Sequence, residues 1–366
     1  MVNVLFIPSW YPSREKPIYG IFAQRRVHAI ARFANVRVAT FDYRSCTPHI
    51  DRELDNGVTT LRIYPGSGPM RVVNTMRYLS QICREFHCDI IDAHCMRPAG
   101  YIARYLFARH DIPYVLTEYT NPFSAYFDGW LASVASYSTL QSASRILADS
   151  ESCMLRILPY CNVYEKYRVV YNVVDTDVFH PLPPTASASP PERDGICHIA
   201  HVTTMDERFK NTRLLIDATK VLMETRTDFD VTVIGDGRDK DATVAYAREQ
   251  GVPIRFTGMV LDVSPYLRKA DFLAITSVSE NFMVAGAEAL MSGIPLVSTH
   301  CGGPENYMLG VATDGNRVAY ANAMDWMIDH HHEFDRQQLH EYARRLFSYD
   351  VIGKKIVDIY QEVLNE

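Results

Sequence analysis

The sequence predicts an α/β protein built from two Rossmann-like, doubly wound domains facing a cleft. Three observations predict it. Apolar strand-like runs alternate with helical patterns along the whole chain, which marks a parallel sheet. At 366 residues the chain is too long for one ordinary core. A proline-rich break over 181–191 separates two halves, and the alternation restarts after it.

In the first half, strands are expected over 2–8, 36–41, 60–64, 90–94, 114–117, 145–148 and 168–171. Helical patterns fall between several of them, over 21–33, 71–86, 97–109 and 131–144. After the break, strands are expected over 196–202, 230–234, 254–256, 271–275 and 295–298. Helices are expected over 211–224, 240–249 and 284–292, with at least two more in the tail, the last near 351–364. The 181–191 break itself reads as an exposed linker or loop.

Composition narrows the function classes. Hydrophobic content of 47% with 22% charged residues is a soluble globular balance. No run approaches the roughly 18 apolar residues of a membrane span. The opening residues lack the basic segment of a signal peptide and read as a first strand. The eight cysteines form no Cys-x-x-Cys pair and no metal spacing, so they read as reduced thiols of a cytoplasmic protein. His330, His331 and His332 are adjacent, and three neighbours on a helix do not face one ion. No metal and no cofactor is expected. A net charge of −6 argues against nucleic acid as a partner. The charge is uneven: residues 1–180 carry +3 and the rest −9. A mildly basic first half suits an anionic acceptor or peripheral contact with a membrane surface, although so small an excess also arises without function.

The most informative run is Ser279-Glu280-Asn281-Phe282-Met283-Val284-Ala285-Gly286-Ala287-Glu288. It follows the apolar strand at 271–275 and enters a helix, with one carboxylate before the helix and one inside it. Ligands of open α/β sheets bind at the carboxyl ends of strands. The first-turn N–H groups of such a helix face an anion such as phosphate. Glu288 sits where its carboxylate can accept hydrogen bonds from ribose hydroxyls. The bland alternative is a solvated helix face, and the small apolar residues around it argue against that. Arg208 and Lys210 follow the strand at 196–202, and two cations at a strand end suit a diphosphate. Gly235 ends another strand and permits close approach of a ligand to the backbone. Met259 and Val260 follow a further strand and offer backbone groups to a base edge. In the first half, Gly20 sits at a helix N-terminus, and His94 and the pair Glu118-Tyr119 each end a predicted strand.

These residues together resemble the family 4 retaining glycosyltransferases, whose two Rossmann-like domains form the arrangement called GT-B. The resemblance covers nearly the whole chain. It rests on Ile7-Pro8-Ser9-Trp10-Tyr11-Pro12 with Gly20-Ile21-Phe22, on Asp92-Ala93-His94, on Leu116-Thr117-Glu118, and on the segment 171–179. It rests further on Lys210-Asn211, Gly235-Asp236-Gly237, Phe256-Thr257-Gly258, and the Glu-x7-Glu block of Glu280 and Glu288. Gly293-Ile294-Pro295 and Gly302-Gly303-Pro304-Glu305 complete it.

The resemblance implies a first domain over 1–178, rejoined by a C-terminal helix over 350–366, and a second over 179–349. It implies that Lys210 and a nearby arginine contact the donor diphosphate, that Glu280 faces the donor sugar, and that Glu288 holds the ribose. Asn281, Phe282, Met283 and Val284 then line the donor, His94 joins Glu280 and Lys210 as a catalytic candidate, and Glu118 and Tyr119 face the acceptor. Three positions depart from the pattern. Met205 stands where an arginine often precedes the lysine, Tyr119 where many members have histidine, and Met283 where many have glycine. Asp175-Thr176-Asp177 has the spelling of a metal-binding pair but lies at the domain junction.

The expected activity is metal-independent, retaining transfer of a sugar from a nucleotide-diphosphate sugar to a carbohydrate or lipid-linked acceptor. The enzyme alternative is a nucleotide-sugar epimerase of the same architecture. The non-enzyme alternative is a degenerate scaffold that only binds the nucleotide sugar.

Overall fold

The computed structural model describes residues 1–181 and 195–366. Past Pro181, the proline-rich break lies outside the described residues. The chain divides into two compact units, Met1–Val173 with Tyr349–Glu366, and Val174–Ser348.

In the first unit, among the described residues, eight strands form one sheet: β1 (Asn3–Pro8), β2 (Asn35–Phe41), β3 (His49–Asp55), β4 (Val58–Tyr64), β5 (Ile90–His94), β6 (Tyr114–Glu118), β7 (Arg145–Ala148) and β8 (Tyr167–Val169). Their order is β3-β4-β2-β1-β5-β6-β7-β8. All neighbours are parallel except β3 and β4, which pair as an antiparallel hairpin. The helices are α1 (Ile21–Ala31), α2 (Met70–Phe86), α3 (Tyr101–His110), α4 (Trp130–Ser142) and α5 (Glu151–Ile157), with the C-terminal helix Tyr349–Leu364.

The period of two along β1 explains the layers. Leu5 and Ile7 join one core cluster, while Val4 and Phe6 join the other. A parallel sheet covered on both faces produces such continuous apolar strands. The C-terminal helix packs on α1, where a Cβ on Gly353 would lie 2.1 Å from the Ala29 carbonyl oxygen. That contact requires glycine. Ile352, Ile356, Tyr360 and Val363 complete the core on that face.

In the second unit, the strands are β9 (Cys197–Val202), β10 (Phe229–Ile234), β11 (Ile254–Phe256), β12 (Phe272–Ile275), β13 (Leu296–Thr299) and β14 (Gly310–Thr313). They form an all-parallel sheet in the order β11-β10-β9-β12-β13-β14. Its helices are α6 (Glu207–Lys210), α7 (Thr212–Leu222), α8 (Lys240–Glu249), α9 (Ser264–Lys269), α10 (Val284–Met291), α11 (Arg317–His330) and α12 (Arg336–Phe347). One core cluster joins Ile199, Val231, Val233, Phe272 and Val297 to apolar residues of α7 and α11.

Strand order reverses between β1 and β5 in the first unit and between β9 and β12 in the second. Those are the topological switch points where doubly wound sheets open a ligand crevice. Among the described residues, several elements were not foreseen, the one-turn α6 among them. β3 reads HIDRELD and is an exposed, charged edge strand without an apolar run. β14, α5 and α9 are each at most seven residues, too short for a clear period. No helix among the described residues is long and apolar enough to cross a membrane.

Candidate active site

At the switch point of the second unit, the loop after β9 carries Lys210 and the loop after β12 carries Glu280. Lys210 ends the one-turn helix α6, where the Asp206 side chain caps the N-terminus. Asn211 follows in the left-handed region at φ 45°, so α7 starts in a new direction. The Lys210 carbonyl accepts a 2.9 Å hydrogen bond from Thr276. The Lys210 ammonium forms an ion pair with Oε1 of Glu280. The two side chains are 19% and 13% exposed, so both are drawn out of bulk water without being sealed from it. Ser277 donates to the same Glu280 oxygen at 2.7 Å. The Glu280 backbone N–H bonds the Cys301 carbonyl at 2.8 Å. A Cβ on Gly303 would lie 3.0 Å from the Glu280 Cβ, so the Gly302-Gly303-Pro304-Glu305 loop packs against the base of this side chain.

The remaining residues of the block divide. Met283 is the N-cap of α10 and takes φ 60°, ψ 81°. This left-handed backbone suits glycine, which many members of the resembled family have there. Tyr307 offsets the strain by donating to the Phe282 and Met283 carbonyls at 2.7 and 2.6 Å. Gly286 admits that phenol, since a Cβ there would lie 2.7 Å from its oxygen. Val284 opens α10, and Glu288, one turn in, is 7% exposed. Asn281 is also buried. Phe282 corrects the donor-lining expectation for its side chain, because it is 2% exposed and its ring packs tilted against Tyr307 and edge-on against Phe347. Its side chain is core, and only its backbone belongs to the loop.

Three further candidates have protein contacts that account for them. Gly235 (φ 135°) is compelled by protein, since a Cβ there would lie 1.8 Å from the Thr203 carbonyl oxygen. Gly20 (φ 78°) is compelled in the same way, by the Trp10 carbonyl oxygen at 2.5 Å. Neither glycine needs a ligand to explain it. Arg208 is 63% exposed and paired with Asp206 at 3.1 Å. Met205, at the position where an arginine often stands, is fully buried in the core. Met259 is exposed and Val260 half-buried after β11. Asp175 closes a turn by accepting the N–H groups of Asp177 and Val178.

The first unit places its motif residues at the ends of β5 and β6, under full cover. His94 is 1% exposed, with Nε2 3.4 Å from Asp92 and Nδ1 3.2 Å from the Tyr119 hydroxyl. Burial holds its imidazole below the ordinary range, against the raising effect of Asp92. Glu118 is wholly buried. One carboxylate oxygen accepts the Met96 N–H at 2.9 Å, and the other accepts those of Tyr119 and Thr120 at 3.0 and 2.8 Å. Burial raises its pKa above the ordinary carboxylate value, against the lowering effect of those bonds. Glu118 therefore fastens its own loop to the β5 loop, which corrects the acceptor-side expectation for its carboxylate. Tyr119 remains half-buried and packs with Trp10 and Phe22, giving the strand ends an aromatic surface.

Sequence reasoning missed Ser277, Tyr307 and Arg26. Arg26 is 2% exposed on α1, and its Nε and Nη2 have no hydrogen-bond partner among the described residues. Nothing in its sequence neighbourhood signals burial. Of the histidine tract, His331 lies with Cys197 and Asp271, their ligand atoms within 4.8 Å of one another. Arg336 also contacts Asp271 at 3.3 Å, and its charge opposes a cation there.

Residues 22–178 match the family model described as Glycosyltransferase Family 4, and residues 197–330 match Glycosyl transferases group 1. The chain belongs to the glycosyltransferases. It is 29% identical over 139 residues to a lipopolysaccharide 1,6-galactosyltransferase of Salmonella typhimurium, a match spanning 36% of either chain. It is 22% identical to the putative teichuronic acid biosynthesis glycosyltransferase TuaC of Bacillus subtilis, over 82% of each chain. Anabaena HepE in complex with UDP superimposes with a TM-score of 0.78 at 16% identity, over 99% of this chain and 100% of that one. A sucrose-phosphate synthase of Thermosynechococcus elongatus superimposes with a TM-score of 0.76 at 14% identity, over the whole of both chains. These likenesses establish the GT-B fold.

Proposed function

We propose that this glycosyltransferase takes a nucleotide-diphosphate sugar in its second unit and transfers the sugar, with retention of configuration and without a metal ion, to a carbohydrate or glycolipid-type acceptor. The observation that carries this reading is the Lys210–Glu280 pair with Ser277, set at the β9/β12 switch point just ahead of α10. A leaving diphosphate develops negative charge as the glycosidic bond breaks. A fixed ammonium and the first N–H groups of a helix stabilise that charge without reorganisation. Glu280 orients Lys210 and accepts from sugar hydroxyls. Glu288, inside α10, accepts from the ribose. Retention follows if the acceptor attacks from the face the diphosphate leaves, with a phosphate oxygen taking its proton. Relatives bound to UDP and UDP-glucose, and a galactosyltransferase relative, support a uridine-linked hexose as the donor to test first. We assign acceptor binding and peripheral membrane contact to the first unit, and cytoplasmic residence to the protein.

Calorimetry with free UDP, GDP, ADP and dTDP tests the donor site. Glu288→Ala is expected to weaken nucleotide binding by about 1–3 kcal/mol through lost charged hydrogen bonds. Unchanged affinity in a folded variant would return Glu288 to a packing role. Transfer is expected to survive EDTA, and the anomeric configuration of the product, read by NMR, is expected to match the donor. Turnover of donor without any acceptor would favour the epimerase reading instead.

A further inference from the structure

Helix α4 of the first unit holds an apolar stripe out to solvent. Its outward stripe is Trp130, Leu131, Val134 and Tyr137, between 46% and 74% exposed. The spacing of one, four and seven residues makes one continuous helical face. Its inward face carries Ser136, Thr139 and Leu140, all fully buried. Those inward polar groups are satisfied. Ser136 donates to the Tyr126 carbonyl at 2.8 Å and meets the Tyr101 hydroxyl at 2.8 Å. Thr139 donates to the Ala135 carbonyl at 2.8 Å, and Tyr114 bonds the Thr139 carbonyl. The core of the unit thus takes up Leu140 and these two satisfied polar groups, and leaves the stripe from Trp130 to Tyr137 to solvent. An apolar stripe of this kind marks a contact surface.

We infer that α4 is the membrane-docking face of the protein, lying in the interface of a bilayer that contains anionic lipids. It sharpens the peripheral contact assigned to the first unit above. Three features favour a bilayer over a second copy of the chain. Tryptophan and tyrosine, with an apolar body and a polar tip, suit the headgroup boundary. The helix WLASVASYSTLQS carries no charged residue to desolvate, while cations flank it. Arg104 reaches Ser138 at 2.6 Å, Lys166 reaches the Gln141 carbonyl at 2.6 Å, and Arg97 bonds the Ala125 carbonyl at 2.9 Å. They outnumber the neighbouring acids Asp128 and Glu165, so an anionic headgroup layer is attracted. Four side chains also cover well under the ~800 Å² per partner of a standard protein interface. A shallow insertion needs only such a stripe.

Co-sedimentation of the full chain with phosphatidylethanolamine vesicles, with and without phosphatidylglycerol, tests this. The protein is expected to pellet with the anionic vesicles and to release at high salt. The triple variant Trp130→Ser, Leu131→Ser, Val134→Ser is expected to lose at least about tenfold in partition. It should keep its melting temperature and its affinity for nucleoside diphosphate, because the three side chains face solvent. Retained nucleotide affinity separates this test from that of the donor site. Absence of vesicle binding by the unmodified chain, or equal binding by the variant, overturns the proposal. A concentration-dependent dimer in sedimentation velocity that the variant abolishes would assign the stripe to a second copy instead.

Discussion

The two switch points carry motifs of similar chemistry and use them differently. At the end of β5 and β6, Asp92, His94 and Glu118 are wholly buried, and Glu118 spends its bonds on backbone N–H groups of two adjacent loops. At the end of β9 and β12, Lys210 and Glu280 keep part of their surface in solvent and bond each other rather than the backbone around them. A buried carboxylate with a full set of donors is a structural clasp. A partly exposed ion pair, by contrast, can exchange partners with an entering ligand at lower cost, since each charge already retains some water. Sequence position at a strand end does not separate the two cases. Burial does.

The sharpest way to break that comparison is Lys210→Ala. It is expected to lower turnover on the order of 10²–10³, since the ammonium acts mainly on charge that develops in the transition state. Circular dichroism and melting temperature should be close to unchanged. Near-normal turnover, or an unfolded variant, would make Lys210 a clasp like Glu118.

Glu118→Ala is expected to behave in the opposite manner. Three buried N–H groups lose their acceptor, which should lower stability by about 3 kcal/mol. Affinity for free nucleotide should stay the same, because the loops that Glu118 joins lie in the other unit. Denaturant melts give the first quantity and calorimetry the second. A variant of full stability that fails only in transfer would restore the acceptor-side role for this carboxylate.

The smallest expected effect sharpens the comparison from within the second unit. Met283→Gly relieves the φ 60° strain at the N-cap of α10, and the strain at such a position is roughly 1 kcal/mol. Stability is expected to rise by a fraction of that, offset by the lost packing of a side chain only 8% exposed. A clear loss of stability would show that the Met283 side chain, including its sulfur 3.9 Å from the Lys210 ammonium, matters more than the backbone it strains.

The strand–helix alternation and the Glu-x7-Glu block were legible in the linear sequence because each depends on near neighbours or on a fixed spacing. The charged edge strand β3 was not, since its pattern follows from pairing with β4 alone. Glu280 and Lys210 were legible as candidates, whereas their pairing across 70 positions was not. Gly20 and Gly235 read as ligand-facing glycines, and only the fold reveals the Trp10 and Thr203 carbonyls that require them. Likewise Trp130, Leu131, Val134 and Tyr137 read as ordinary helix residues until the unit turns them outward. By itself the sequence determined which segments form strands and helices and which residue types stand at their ends, because hydrophobic periodicity and backbone preference act locally. Which of those end groups are buried, what they bond and which face of a helix meets water was decided by the tertiary structure, because desolvation and hydrogen-bond satisfaction depend on atoms distant in sequence.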